Sequence, residues 1–175
     1  MITPILETQK LRLRPAKVSD AEAVYNNWAS DPSVTKYMRW NTHGSIDETI
    51  EWLTRAESVV SDKNSYDWLF VLKETNEPIG SGGVFVNTKH DAHELGYCIM
   101  QSRWGQGFAV EASKEILRFA ADELGATEFF ATHAKDNPAS GKVLEKLGFV
   151  YKSDGEYSSF DGKREFKSCE YFLML

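Results

Sequence analysis

The chain has 175 residues, 42% of them hydrophobic and 26% charged, which suits one soluble globular domain over residues 1–175 with a substantial core. A net charge of -6 argues against a general nucleic-acid binder, which would carry a basic stripe, and is compatible with a cationic substrate such as an amine. The N-terminus Met1-Ile2-Thr3-Pro4-Ile5-Leu6-Glu7 lacks the basic start and long apolar stretch of a signal peptide, and no run is long enough to span a membrane. The two cysteines, Cys98 and Cys169, each lie in an apolar run; reduced buried thiols of a cytoplasmic protein are the reading, with a disulfide between neighbouring strands as the alternative.

In chain order, Leu11-Arg12-Leu13-Arg14 alternates as a half-buried strand and Pro15 ends it. Ser19-Asp20-Ala21-Glu22 predicts a capping box opening a helix toward Trp28, interrupted by Asp31-Pro32-Ser33. Tyr37-Met38-Arg39-Trp40 reads as a loop rich in large side chains. Ser45-Ile46-Asp47-Glu48 is a second capping box, with Ile50, Trp52 and Leu53 as the apolar stripe of its helix. The unbroken apolar run Trp68-Leu69-Phe70-Val71-Leu72 predicts a strand covered on both faces. After the turn Glu74 to Pro78, Ile79 to Val86 reads as its hairpin partner, where Gly80, Gly82 and Gly83 suggest a bulge. A polar connection from Thr88 to Ala92 leads into a buried strand, Glu94 to Met100.

Next comes Trp104-Gly105-Gln106-Gly107-Phe108-Ala109-Val110-Glu111-Ala112. A buried strand, a glycine turn and a helix start expose free backbone N–H groups at a positive helix end, suited to a phosphate-bearing ligand. The bland alternative is a structural turn. The stretch is not a P-loop, because no Gly-Lys-Ser/Thr follows, and it lacks the third glycine of a dinucleotide fingerprint. The helix runs to about Leu124 and stops at Gly125. Thr127 to Thr132 is strand-like. Asn137-Pro138 opens a helix with Asn137 as cap, Val143, Leu144 and Leu147 as apolar face, and Gly148-Phe149 at its close. Ser140 is one polar group on that stripe, where back-bonding to its own helix is the plain reading. Two strands, Phe149 to Ser159 and Phe166 to Leu175, finish the chain around a turn at Asp161-Gly162. The expected fold is α/β (α+β): a mixed, mostly antiparallel central sheet with helices on both faces.

Trp104 to Ala109 resembles the pyrophosphate-binding motif Q/R-x-x-G-x-G/A of the GNAT superfamily of acetyl-CoA-dependent N-acetyltransferases, with Trp104 in place of the usual Gln or Arg. The longer Trp-Gly-x-Gly-Phe-Ala-x-Glu-Ala resembles the branch that acetylates ribosomal-protein N-termini. Asn137-Pro138-Ala139-Ser140 followed by Leu144 to Phe149, and the Leu11 to Pro15 opening, extend the resemblance over nearly the whole chain. It implies a cleft between two splayed central strands. It assigns the backbone of Cys98, Ile99 and Met100 to the pantetheine arm, Gly105, Gln106, Gly107, Phe108 and Ala109 to the pyrophosphate, and Asn137 with Ser140 to later parts of acetyl-CoA. It also places acceptor specificity in the N-terminal aromatic region, here Trp28, Tyr37, Met38 and Trp40, for which core packing is an equal explanation. Dimers occur in the branch.

The implied reaction is direct attack of a neutral amine on the thioester in a ternary complex. It needs a base, for which Glu94 is the candidate against a plain solvent-facing strand end. It also needs an acid for the leaving thiolate. Many members use a tyrosine there; Leu144 occupies its place, so Ser140 is the expected substitute. A covalent intermediate on Cys98 is disfavoured by its apolar setting. His90 and His93 read as loop histidines, outside any metal-ligand spacing, and no metal is expected. The expected acceptor is a protein N-terminal amine. A small-molecule amine, such as a polyamine or antibiotic, and a non-catalytic acyl-CoA-binding module are the alternatives.

Overall fold

The computed structural model describes residues 2–58 and 64–175. Eight strands form one sheet: β1 (Leu6–Glu7), β2 (Leu11–Arg14), β3 (Ser65–Leu72), β4 (Pro78–Asn87), β5 (Ala92–Ile99), β6 (Glu128–Ala134), β7 (Val150–Ser158) and β8 (Glu165–Met174). Their spatial order is β1-β2-β3-β4-β5-β6-β8-β7, and among the described residues β5 and β6 are the one parallel pair. A parallel neighbour needs a crossover, and the connection after β5 supplies it through α4 (Phe108–Leu124). The other helices are α1 (Ala21–Val24), α2 (Pro32–Thr35), α3 (Ile46–Ser58) and α5 (Pro138–Lys146).

The sheet is covered on both faces, which explains the unbroken apolar run in β3. Trp68 and Phe70 face a core shared with Phe108, Ile116 and Phe119 of α4, whereas Leu69 and Val71 face a second core with Val24, Trp28 and Leu53. Phe119 meets the Tyr66 and Trp68 rings edge-on, both at 5.3 Å between centroids. Burying each such side chain contributes about 1.5–3 kcal/mol, which fixes α4 against the sheet. Glu111, one turn into α4, accepts hydrogen bonds from the Thr8 hydroxyl (2.6 Å) and Lys10 N–H (2.7 Å), tying the helix start to the β1–β2 turn.

The glycines of β4 serve close approach. A Cβ at Gly80 would lie 2.2 Å from the Cys98 carbonyl oxygen, and one at Gly82 would lie 2.7 Å from the Phe70 ring. The irregularity expected near them is present: Phe70 pairs with Gly80 but Val71 with Pro78, which leaves Ile79 of β4 as the extra residue beside Gly80.

Three local expectations are corrected. The first capping box is displaced: Asp20 accepts the Lys17 N–H and is drawn into a bidentate pair with Arg14 at 2.7–2.8 Å, so a short 3-10 turn, Val18–Asp20, precedes α1. In the second, Glu48 reaches the N–H of Gly44 rather than Ser45. His93 is a residue of β5, not of a loop, while His90 stacks on Phe130 at 4.0 Å.

Candidate functional site

The pairing of β5 with β6 is brief. It joins His93 to Phe129 and Glu94 to Phe130, after which the strands part. From Leu95 to Ile99 one edge of β5 faces a fork closed on the far side by β6 and α5. A cavity of about 930 Å³ fills the fork and continues across the sheet to Tyr37, Met38, Arg39 and Trp40.

β5 presents different residues to the two halves of this space. Cys98 belongs to the core under α1 and α3, so Glu94 and Cys98, four residues apart, share that face. Leu95, Tyr97 and Ile99 point to the α4 side. The backbone alternates too. The Met100 N–H donates to the Ile79 carbonyl of β4 at 2.8 Å, so Met100 and, two residues back, Cys98 turn their amides onto β4. Tyr97 and Ile99 turn theirs to the fork, and the Ile99 carbonyl accepts the Trp104 indole N–H at 2.7 Å. Of the three residues expected to offer backbone to a ligand, only Ile99 faces the opening in this way; Tyr97 joins it. Period-two ladders decide this, and the register was not legible without the partner strand.

The glycine turn follows. Gly105 and Gly107 have φ of +73° and +85°, the left-handed region that a side chain disfavours. Space around both Cβ positions is open. The Glu111 N–H to Gly107 carbonyl bond (3.0 Å) is the first of α4, so the N–H groups of Phe108, Ala109 and Val110 have no carbonyl within the helix. Trp104 holds the turn against β5 through Ile99, a fixing role for the residue that departs from the common motif. Gln106 donates to the Ser102 carbonyl at 3.1 Å. Phe108 itself is buried in the core, so only its backbone is available.

Asn137 makes no side-chain cap at the start of α5, contrary to expectation, and the residue borders the cavity. Ser140 is not spent on its own helix either: its hydroxyl lies 2.9 Å from the Tyr97 hydroxyl. Burial pushes the Tyr97 phenol up to about 12, so it stays protonated at neutral pH. Sequence reasoning missed Tyr97; an aromatic residue alternating with apolar neighbours looks like core until the fork is seen. Leu144 is buried beneath Ser140, and no phenol occupies its place.

Glu94 sits where the strands part, 6% exposed. One carboxylate oxygen accepts the Asn87 amide at 2.5 Å, and the other lies 3.9 Å from the Arg39 guanidinium. Burial raises its carboxyl above the ordinary range, partly offset by the Asn87 hydrogen bond and by Arg39, His90 and Lys89. It is not a solvent-facing strand end. Cys98 is buried beside the Ser81 hydroxyl at 3.4 Å, and burial pushes its thiol up, which opposes a thiolate nucleophile.

The acceptor-side expectations divide. Tyr37, Met38 and Trp40 line the cavity; Trp28 does not, being 1% exposed in the core with Leu69 and Val71. The loop carrying Tyr37 to Trp40 is held by the β7–β8 turn. Arg164 donates to the carbonyls of Met38 (2.9 Å) and Trp40 (2.8 Å) and, more weakly, of Thr35 (3.4 Å) and Lys36 (3.3 Å). The Phe160 N–H donates to the Arg39 carbonyl at 2.7 Å, and the Tyr157 hydroxyl to the Tyr37 carbonyl at 2.7 Å.

A fork between parallel strands, beside a helix N-terminus with free N–H groups, suits an elongated ligand carrying phosphates. Comparison with known proteins agrees. Residues 10–150 match the family model of the acetyltransferase (GNAT) domain. The chain is 33% identical over 147 residues to the uncharacterized N-acetyltransferase YoaA of Bacillus subtilis, covering 83% of this chain and 82% of that one. A Vibrio cholerae structure, provisionally described as a ribosomal-protein-serine acetyltransferase, superimposes with a TM-score of 0.87 over 100% of both chains at 16% identity. The microcin C7 self-immunity acetyltransferase, solved with acetyl-CoA and AMP, gives 0.81 over 95% of this chain and 93% of that one at 13% identity. The protein belongs to the GNAT family of acetyltransferases.

Proposed function

We propose that the protein transfers the acetyl group of acetyl-CoA to the α-amine of a protein or peptide N-terminus, by direct attack within a ternary complex. The observation that carries this reading is the position of Glu94: a buried carboxylate at the branch point of the fork, open on one side to the cleft under Tyr37 to Trp40. An α-amine with a pKa of about 8 needs only a modest base, which a carboxylate raised by burial supplies.

The N–H groups from Gly107 to Val110 hold the pyrophosphate, the fork edges of Tyr97 and Ile99 meet the pantetheine arm, and Asn137 and Ser140 contact the cofactor from α5. Glu94, directly or through water, takes the amine proton as the N–C bond forms. The C–S bond then breaks, and the thiolate receives a proton from Ser140 backed by Tyr97. The likeness to the ribosomal-protein branch in the Trp104 to Ala112 motif supports the N-terminal acceptor. The two free thiols suit a reducing, cytoplasmic setting.

The test is an acetyl-CoA consumption screen over N-terminal peptides and small amines, beside thermal shift with acetyl-CoA. Peptide acetylation at the α-amine is the expected result. Turnover confined to polyamines or other small amines overturns the acceptor assignment. Stabilisation by acetyl-CoA without turnover on any amine favours a binding module.

A further inference from the structure

Arg39 is a cation of the acceptor cleft whose backbone is fixed on both sides, while among the described residues its charge is met only by a loose pair with Glu94 at 3.9 Å. The carbonyls of Met38 and Trp40 are held by Arg164, and that of Arg39 itself by the Phe160 N–H. Among the described residues, the guanidinium makes no hydrogen bond. It lies 3.9 Å from Glu94, beyond hydrogen-bond reach, and 5.0 Å over the Tyr157 ring. Five donors in a planar fork are thus delivered beside the candidate base with no carboxylate gripping them.

The surroundings argue for an anion. Lys89 borders the same cavity, and Arg39 and Lys89 both continue into a shallower recess with Ser158, Ser159 and Phe160. Two carboxylates reach that recess, Glu156 and Glu165, of which Glu156 is paired with Lys167 at 2.8 Å. A site that receives only an ammonium group has no use for a cation beside its base, since like charges oppose entry. A site whose ligand brings an anion next to its amine does.

We propose that Arg39 is a specificity-determining residue that binds a carboxylate lying within the same residue as the acceptor amine. The acceptor class is therefore an amine bearing a nearby carboxylate: within the proposed N-terminal acceptors, a chain whose first residue is Asp or Glu, or, in place of them, a free amino acid. The short separation between Arg39 and Glu94 sets that spacing, because an amine on Glu94 and an anion on Arg39 belong to one small unit. Engagement of Arg39 by the substrate also draws its charge from Glu94, leaving that carboxylate a better base. This rests on the reading of Glu94 as the acceptor-side base.

The test is calorimetric binding of matched pairs to the protein loaded with CoA, in two arms. One arm offers free phenylalanine against phenylalaninamide; the other offers peptides beginning Asp-Ala against Asn-Ala, each amidated at the C-terminus. In at least one arm the carboxylate member binds about ten- to a hundredfold tighter, and Arg39→Gln abolishes the preference. Arg39→Lys, which keeps the charge without the fork, restores part of it. Equal affinity within both pairs, no binding by either carboxylate member, or a preference that survives Arg39→Gln overturns the proposal. Acetylation of amides as fast as acids leaves the acetyl-transfer reading standing and removes this one. Preferential binding without acetylation does the reverse. The arm that responds separates a free amino acid from an acidic N-terminus.

Discussion

The hydroxyls of Tyr97 and Ser140 lie 2.9 Å apart, joining β5 to α5 through a polar contact inside the fork. The Tyr97 hydroxyl also lies 3.2 Å from the Ser140 carbonyl oxygen. With Leu144 where a phenol is common in the family, this pair is the proposed source of a proton for the leaving thiolate.

Tyr97→Phe is expected to lower kcat by roughly 10²-fold while leaving the KM for acetyl-CoA nearly unchanged, because a general acid acts in the transition state. Ser140→Ala follows the same direction, and the double variant is little worse than either single one if the two act as one relay. Burial carries the phenol from its ordinary 10.0 to about 12. Its proton is therefore kept longer in the folded than in the unfolded chain. The associated stability is complete below pH 10 and is lost as pH rises toward 12, which melts of wild type and Tyr97→Phe across that window would register. A steep loss of activity between pH 8 and 10 that disappears in Tyr97→Phe would contradict the raised phenol.

Glu94 makes the opposite limb. As a base it must be ionised, and burial raises its carboxyl, so kcat/KM is expected to fall on the acid side at a pH above the ordinary carboxylate range. Glu94→Gln should lose about 10²- to 10⁴-fold in turnover and lose that limb. The stability sign follows from the same shift. A raised carboxyl holds its proton in the fold, so its contribution is present below the unfolded value near 4.5 and is lost as pH rises through the folded one. The wild type accordingly gains on Glu94→Gln in melting temperature as pH falls, a trend whose reversal would refute the desolvated state.

Much of this architecture was legible because it is local. The β3 run lacks alternation since both faces are packed, and the glycine turn announces itself because a left-handed φ excludes most other residues. What stayed hidden depends on distant partners. Asn137 reads as a cap from its neighbours, yet its side chain makes no cap bond. Trp28 reads equally as a cleft aromatic or as core, and only its packing with Leu69 and Val71 decides for the core. Arg164 carries no local signal whatever, since its partners lie more than a hundred residues upstream.

Gly107 and Gly125 form a natural matched pair. Both have positive φ, +85° and +68°, both flank α4, and both have open space where a Cβ would stand. Alanine at either position costs about 1–2 kcal/mol for the left-handed backbone, read from denaturant melts. Only Gly107 adjoins the free N–H groups, so Gly107→Ala should in addition raise the KM for acetyl-CoA about tenfold or more, while Gly125→Ala leaves it unaltered. Equal KM values in the two variants would detach the turn from pyrophosphate binding.

Arg164 offers the sharpest separation of the two substrates. Its guanidinium serves four backbone carbonyls, from Thr35 to Trp40, and forms no ion pair among the described residues. Removing it strips donors from the carbonyls that hold the acceptor loop in place, at about 1–3 kcal/mol of stability. Among the described residues, that loop is joined to the proposed cofactor elements by the Tyr37 hydroxyl, which donates to the Asp136 carbonyl at 3.0 Å, and by the loose pair of Arg39 with Glu94 at 3.9 Å. Arg164→Ala should therefore raise the KM of the acceptor about tenfold and change that of acetyl-CoA little. Lysine, a point charge that cannot serve carbonyls on both sides of Arg39, should recover the folding loss in part but not the acceptor KM. Parallel titrations of acceptor and acetyl-CoA decide it: a rise shared equally between the two substrates would mean that Arg164 supports the fold at large rather than the loop above Glu94.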